Sequence, residues 1–179
     1  MNRKTITTIA AALAIAAGAA AAVAQPPAHG SLAARFAYLS RQTSNQCTLT
    51  GAAVMRMPSD ARLQGSCCFP MDRRAYDDQI RKLTRYANLA VVPKDPYDIP
   101  VTLAQRLLGY RSIRLTGSQQ RIYNAAIPLS TTRGPCCCQC WRAEAFAGQA
   151  KFLIAHHGFS AAQIAAIWST EEGCGGPED

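Results

Sequence analysis

Residues 134–158 read GPCCCQCWRAEAFAGQAKFLIAHHG and carry the longest helical pattern of the chain. Pro135 suits the first turn of a helix, because the N–H that it lacks would have no partner there. Gly158 suits the position just beyond the last turn. We therefore predict one long helix over residues 135–157, with a cysteine-rich cluster at its start.

The predicted helix would place its cysteines in an unusual electrostatic position. At 100° per residue, Cys136 and Cys140 share a face with apolar residues, Cys137 lies within 100° of Cys136, and Cys138 points to the far side. Thiols in a first turn lie near the positive end of the helix and its unbonded N–H groups, which favour the thiolate and lower the thiol pKa. The pattern thus predicts reactive, metal-competent sulfur atoms on a buried face.

Other helices are predicted from capping residues followed by apolar residues at helical spacing. Four helix starts are marked in this way, by Ser31, Asp72, Thr116 and Ser160. The last two are capping boxes, with Gln119 and Gln163 three residues on. A proline-rich connector covers residues 92–100, and no stretch strongly indicates a strand. We predict an all-α fold, a single compact bundle of five or six helices.

The first residues have the pattern of a secretion signal. Arg3 and Lys4 precede an apolar run over residues 9–23, and small residues at its end predict cleavage after Ala24. The run is shorter than the ~20 strongly apolar residues of a membrane span, so no span is expected after cleavage. The predicted divisions are 1–24 signal peptide, 25–30 linker, 31–170 helical Cys-rich domain and 171–179 Gly-rich tail. We expect a periplasmic or secreted protein.

The charge of the chain does not by itself select a partner. It has 19 basic and 11 acidic residues, and loss of Arg3 and Lys4 would leave 17 − 11, or +6. The basic residues are spread along the sequence, which is typical of a solvated face. Such a face also leaves a protein partner open.

Eight cysteines are the most informative feature of the sequence. Three of them are consecutive, and adjacent residues cannot bridge to each other without strained geometry, which disfavours a purely structural set. Thiolates are preferred ligands of Cu(I), Zn(II) and Hg(II). The candidate metal ligands are Cys136, Cys137, Cys138, Cys140, Cys67 and Cys68. The isolated Cys47 and Cys174 are candidates for a structural disulfide, and Met55, Met57 and Met71 add soft sulfur atoms.

Residues 137–140 resemble a known copper-binding motif. Their sequence, CCQC, is similar to the CCxC motif of the small mitochondrial chaperones that donate copper to cytochrome oxidase. The resemblance implies a Cu(I) cargo and covers four positions. The paired Cx9C helical hairpin of those chaperones is absent from the sequence, so their fold and partner are not implied.

The residues leave two other functions open. The eight cysteines could instead form four disulfides that staple a non-catalytic interaction module. Alternatively, Cys137 and Cys140 form a CxxC, the motif of thiol–disulfide oxidoreductases. The sequence lacks GxSxG, HExxH and a Gly-rich phosphate loop, so it favours binding over catalysis.

Nucleic-acid binding is disfavoured. Residues 151–168 resemble a helix-turn-helix, but the second helix has only Gln163 as a usable donor and has no arginine or lysine for reading a base edge. An exported protein also does not meet the chromosome. We interpret this segment as a packing unit.

Overall fold

The computed structural model describes residues 30–176, and this part of the chain is mostly helical. It contains seven α-helices and one two-stranded antiparallel sheet. In chain order these are α1 Leu32–Leu39, α2 Gly51–Val54, β1 Arg62–Gln64, α3 Arg73–Leu83, β2 Asp98–Pro100, α4 Val101–Gly109, α5 Gly117–Ala126, α6 Trp141–His157 and α7 Ala161–Thr170. The helical class is confirmed, whereas the bundle of five or six helices is not.

The predicted signal peptide lies outside the described residues, as do most of the predicted linker and the last three residues of the predicted tail. Within residues 30–176, none of the helices has both the length and the apolar character needed to cross a bilayer.

Local capping explains where four of the helices begin. The side chains of Ser31 and Asp72 accept hydrogen bonds from backbone N–H groups in the first turns of α1 and α3. Thr116 and Ser160 form complete capping boxes at α5 and α7. Each predicted N-cap is therefore confirmed, because capping depends on residues only two or three positions apart.

The start of the long helix was predicted wrongly. Helix α6 begins at Trp141 and not at Pro135, and Cys140 is its extended N-cap residue, with φ −108° and ψ −179°. Arg133 and Gly134 both have positive φ values, so the chain turns sharply just before the cysteines. The Trp141 N–H then donates to the Leu49 carbonyl, 2.9 Å away. The four clustered cysteines consequently occupy a loop, where adjacent thiols can converge instead of fanning out around a helix.

Two strands were not predicted from the sequence. Leu63 pairs with Ile99 in the sheet, and both side chains are fully buried. Asp98, in the next register position, accepts hydrogen bonds from Arg62, Gln64 and Arg35. Three residues are too few to show the alternating pattern of a strand in the sequence. Strand β2 lies within the segment that was predicted to be a proline-rich connector.

The main apolar core lies between α4, α6 and α7. Trp141, Phe146 and Trp168 are its largest members and are almost fully buried. The Trp168 indole N–H donates to the Phe146 carbonyl at 3.2 Å, which fixes α7 on α6. A smaller core of Leu39, Met71, Tyr76 and Tyr97 holds α1 against α3.

A buried polar group lies at the end of α7. Glu171 is fully buried; it accepts a hydrogen bond from Gln149 through Oε2, and its Oε1 has no partner among the described residues. Burial raises the pKa of Glu171 to about 8, against the opposing effects of Gln149 and Arg142. The carboxyl group is therefore mainly neutral at pH 7.

We expect Gly148→Ala to destabilise the fold. A Cβ at Gly148 would lie 2.1 Å from the Leu107 carbonyl oxygen of α4, because the two helices touch backbone to backbone there. The predicted loss is about 1–3 kcal/mol of unfolding free energy. Gly109→Ala is the matched control, since a Cβ there meets nothing within 4 Å and should stabilise by up to about 1 kcal/mol. Urea unfolding measures the unfolding free energy of both variants, and equal effects would contradict the close approach of the two helices at Gly148.

We expect Glu171→Gln to change how stability depends on pH. Because the pKa of Glu171 is raised in the folded protein, its protonation contributes to the free energy of unfolding. The contribution is complete below the pKa of about 4.3 that glutamate has in the unfolded chain, and it is lost as the pH rises to about 8. Glutamine cannot ionise, so the free energy of unfolding of the variant should rise steadily relative to that of the wild type across that pH interval. Urea unfolding at several pH values tests this, with the partly exposed Glu144→Gln as control. A pH-independent difference would show that Glu171 is ionised.

Candidate metal centre

All eight cysteines meet at one end of the molecule, although they come from four separate segments. The segments are the loop between α1 and α2 (Cys47), the loop after β1 (Cys67 and Cys68), the loop before α6 (Cys136, Cys137, Cys138 and Cys140) and the chain after α7 (Cys174). All eight are free thiols in the structure.

Asn45 joins three of these segments. It is 1% exposed; its side-chain amide donates to the Gly65 carbonyl at 2.8 Å, and its side-chain oxygen accepts from the Trp141 indole at 3.0 Å. Its backbone N–H also donates to the Gln64 carbonyl. One buried side chain thus fixes the loops of Cys47, Cys67 and Cys140 relative to each other.

Backbone pairing brings in the fourth segment. The N–H groups of Cys67 and Cys68 donate to the carbonyls of Gly173 and Cys174, both at 3.1 Å. Gly175, at φ +76°, allows this approach, because a Cβ there would lie 2.1 Å from the Phe69 carbonyl oxygen. The glycines of the tail therefore have a packing role beside the cysteines.

A buried cation lies behind the cluster. Arg142 is 1% exposed, and its guanidinium donates to the carbonyls of Pro96 (2.8 Å) and Glu171 (2.7 Å). Gly173 leaves room for it, since a Cβ at that position would lie 2.5 Å from the guanidinium carbon. The positive charge helps to lower the pKa of Cys174.

The sulfur atoms form a single network of contacts. The two shortest distances join Cys47 to Cys68 (2.7 Å) and Cys137 to Cys174 (2.9 Å). The others are Cys67–Cys68 3.4 Å, Cys47–Cys138 3.6 Å, Cys67–Cys174 3.8 Å, Cys136–Cys138 3.8 Å, Cys136–Cys140 3.8 Å, Cys136–Cys174 3.9 Å and Cys68–Cys137 4.0 Å. Every cysteine contacts at least one other through sulfur.

The six contacts of 3.6–4.0 Å suit a thiolate-bound metal, whereas the two shortest contacts would have to lengthen around an ion. A tetrahedral Zn(II) with sulfur ligands at about 2.3 Å holds the sulfurs about 3.8 Å apart. The ligand atoms of Cys47, Cys67, Cys68 and Cys138 all lie within 4.8 Å of one another. Two three-thiol sets meet the same limit, Cys68 with Cys137 and Cys174, and Cys136 with Cys137 and Cys138. The cluster could therefore hold a metal ion.

Hydrogen bonds between the thiols divide them into proton donors and acceptors. Cys174 accepts hydrogen bonds from Cys136 and Cys67, which lower its pKa to about 3. A hydrogen bond from Cys140 lowers the pKa of Cys136 to about 6. The hydrogen bonds that Cys67 makes with its neighbours raise its pKa instead. The hydrogen bonds among the thiols thus favour the thiolate form of Cys174 and Cys136 in the metal-free cluster.

Three other thiols, those of Cys68, Cys137 and Cys138, have raised pKa values. Burial raises the pKa of Cys68 to about 11 and also raises the pKa values of Cys137 and Cys138. Their protons must leave when a metal binds. The prediction that a helix N-terminus ionises the thiols is thus replaced by ionisation through neighbouring thiols.

The six cysteines predicted as metal ligands all lie in the cluster. Cys138 does not point away, as the helical interpretation required, because it contacts Cys136 and Cys47 through sulfur. Cys67 and Cys68 lie in the loop before α3, which starts five residues later at Arg73.

Cys47 and Cys174, the two predicted disulfide candidates, also lie in the cluster. The sulfur of Cys47 is beside Cys68 and that of Cys174 is beside Cys137. The flexible glycines around Cys174 were a usable signal for a close approach, whereas nothing near Cys47 indicated its position.

The methionines and histidines have other surroundings. Met71 and Met57 pack with apolar residues, and Met55 is 52% exposed. His156 and His157 lie at the opposite end of α6, against the ring of Phe152.

We expect the reduced, metal-free protein to show thiolate absorbance at pH 7. The two thiolates with lowered pKa values stabilise the fold fully above the pKa of about 8.5 that a thiol has in the unfolded chain. This stabilisation is lost as the pH falls through about 6 for Cys136 and about 3 for Cys174. The absorbance should decrease over the same interval and be small at pH 7 in urea-unfolded protein. Equal absorbance of the folded and unfolded forms at pH 7 would contradict the assignment.

No protein-family model, curated protein or solved structure matches this chain, so its chemistry is inferred from the cysteine cluster itself.

Proposed function

We propose that this protein is exported to the periplasm or beyond and binds or buffers a thiophilic metal ion, Cu(I), Zn(II) or Hg(II), through its cysteine cluster. One observation carries the proposal: eight sulfur atoms from four segments form one contact network. Export is supported by the signal-like pattern of residues 1–24.

The donor atoms favour a soft metal. Within residues 30–176, the groups that could hold an ion consist of cysteines alone. Thiolates select Cu(I), Zn(II) and related ions over hard ions such as Mg²⁺ or Ca²⁺, which take oxygen ligands.

The packing of the loops also supports a metal-binding protein over a disulfide-stapled interaction module. Asn45, the backbone pairing of Cys67 with Gly173 and the Arg142 hydrogen bonds already hold the four segments together. Disulfides are therefore not needed to bring the segments into contact, and the thiols remain free to act as ligands.

A disulfide-stapled interaction module is the second candidate. The two shortest contacts favour it, since oxidation could join Cys47 to Cys68 and Cys137 to Cys174. A thiol–disulfide oxidoreductase that uses Cys137 and Cys140 is less favoured, because Cys137 contacts Cys174 and Cys68, and Cys140 is 1% exposed.

Competition with chromophoric chelators tests metal binding. We expect reduced protein to take up Cu(I), Zn(II) or Hg(II), and expect Cys137→Ser with Cys140→Ser to weaken binding by more than about 100-fold, since even outer-shell changes cost 10- to 100-fold. Met55→Ala removes a sulfur atom outside the cluster and should leave affinity unchanged. The proposal fails if the wild type binds none of the three ions more tightly than the double variant.

Mass spectrometry of unreduced protein from its own compartment separates the first two candidates. Bound metal with titratable thiols supports the metal centre. Four disulfides and no free thiol would support the stapled module instead.

A further inference from the structure

We propose that the cluster consists of two adjoining four-thiolate sites, each for one divalent thiophilic ion. The outer site comprises Cys47, Cys67, Cys68 and Cys138, and the inner site comprises Cys136, Cys137, Cys140 and Cys174. This inference rests on the proposed function and adds to it the number of ions and the ligands of each.

The outer site is defined by mutual distance. Its four sulfur atoms all lie within 4.8 Å of one another, and they form the one four-thiol set found among the described residues. Its internal contacts are Cys47–Cys68 at 2.7 Å, Cys67–Cys68 at 3.4 Å and Cys47–Cys138 at 3.6 Å. A single ion at its centre would be reached by all four thiolates.

The inner site consists of the four remaining thiols, which are linked in a chain from Cys140 through Cys136 and Cys174 to Cys137. Cys136 lies 3.8 Å from Cys140 and 3.9 Å from Cys174, and Cys174 lies 2.9 Å from Cys137. Four thiolates complete the coordination of Zn(II) or Cd(II) without a further ligand. Eight thiols thus satisfy two such ions with no ligand shared.

The two sites touch each other. Contacts across the boundary join Cys67 to Cys174 and Cys136 to Cys138 at 3.8 Å, and Cys68 to Cys137 at 4.0 Å. Hydrogen bonds of Cys67 with Cys136 and Cys140, and of Cys138 with Cys140, cross the same boundary. The two three-thiol sets also cross this boundary. They offer three ligands each, so a four-coordinate divalent ion is better served by the division into two sites.

The sites differ in burial and in nearby charge. Cys140 and Cys174 of the inner site are 1% and 2% exposed, whereas no ligand of the outer site is buried. The guanidinium of Arg142 also lies beside the inner site, next to Gly173. A divalent ion with four thiolates carries a net charge of 2 − 4 = −2, so this buried cation favours occupation of the inner site. We expect the inner site to fill first and to release its ion last.

Cadmium is a suitable probe, because ¹¹³Cd NMR gives one resonance for each distinct site. Wild-type protein, reduced and metal-free, is titrated with ¹¹³Cd(II) and weighed by native mass spectrometry. We expect two bound ions and two resonances in the all-sulfur region, of which one reaches full intensity before the second. A chelator should remove the second one first.

Three double variants, each with six remaining thiols, identify the ligands. Cys47→Ser with Cys138→Ser should remove the late resonance alone, and Cys136→Ser with Cys137→Ser should remove the early one alone. Cys137→Ser with Cys138→Ser takes one ligand from each site and should disturb both resonances. All six substitutions affect thiols that are not buried, and circular dichroism verifies that the helices are retained.

The outcomes separate this inference from the proposed function. Two ions that fill in parallel, a number of ions other than two, or three double variants that behave alike would replace the two sites with one shared cluster. An iron–sulfide core in the native protein would also overturn the division. Wild-type protein that binds neither cadmium nor any of Cu(I), Zn(II) and Hg(II) would overturn the proposed function itself. The wild-type titration tests the number of sites and their order of filling even where a variant does not fold.

Discussion

The buried positive charge of Arg142 is a constraint on the loops that carry the cysteines. Its guanidinium is removed from water and bonded to the carbonyls of Pro96 and Glu171. Such a charge is costly unless it is compensated. The Glu171 carboxyl gives little compensation at neutral pH, because its pKa is about 8. One anionic charge beside the guanidinium is that of Cys174, whose pKa is lowered to about 3 by hydrogen bonds from Cys136 and Cys67 and, to a smaller extent, by Arg142. Arginine and thiolates stabilise each other across the loops that both hold in place.

The apolar core that holds the helices together and the cysteine cluster are separate parts of the structure. The apolar core around Trp141, Phe146 and Trp168 holds the helices together without the cysteines, whereas the cluster is formed by loops fixed through Asn45 and paired backbones. Loops can bring adjacent residues to one point, which regular helices cannot do. The helical framework can therefore persist while thiols gain or lose protons and metal.

The parts of the fold that local chemistry determines could be predicted from the sequence. Ser31 and Ser160 begin helices because a side-chain oxygen bonds to an N–H a few residues away. The start of α6 could not be predicted, because Pro135 is equally acceptable in a loop and the deciding contact is from Trp141 to Leu49, 92 positions apart. The union of the thiols at 136–140 with Cys67 and Cys68 was predicted, whereas the inclusion of Cys47 and Cys174, which depends on distant contacts of the same kind, was not.

Oxidation and metal binding compete for the same atoms in this cluster. The closest pair, Cys47 and Cys68, would lose two electrons and two protons to an oxidant if it formed a disulfide, and it is also half of a four-thiol set. Metal binding must displace protons from thiols such as Cys68, whose pKa is raised to about 11, so affinity rises with pH. An ion held by these thiolates keeps their lone pairs engaged and slows attack on a disulfide or oxidant. In an oxidising compartment, occupation by metal would then decide whether the thiols persist, and the burial of Cys140 and Cys174 would protect the inner half of the cluster longest.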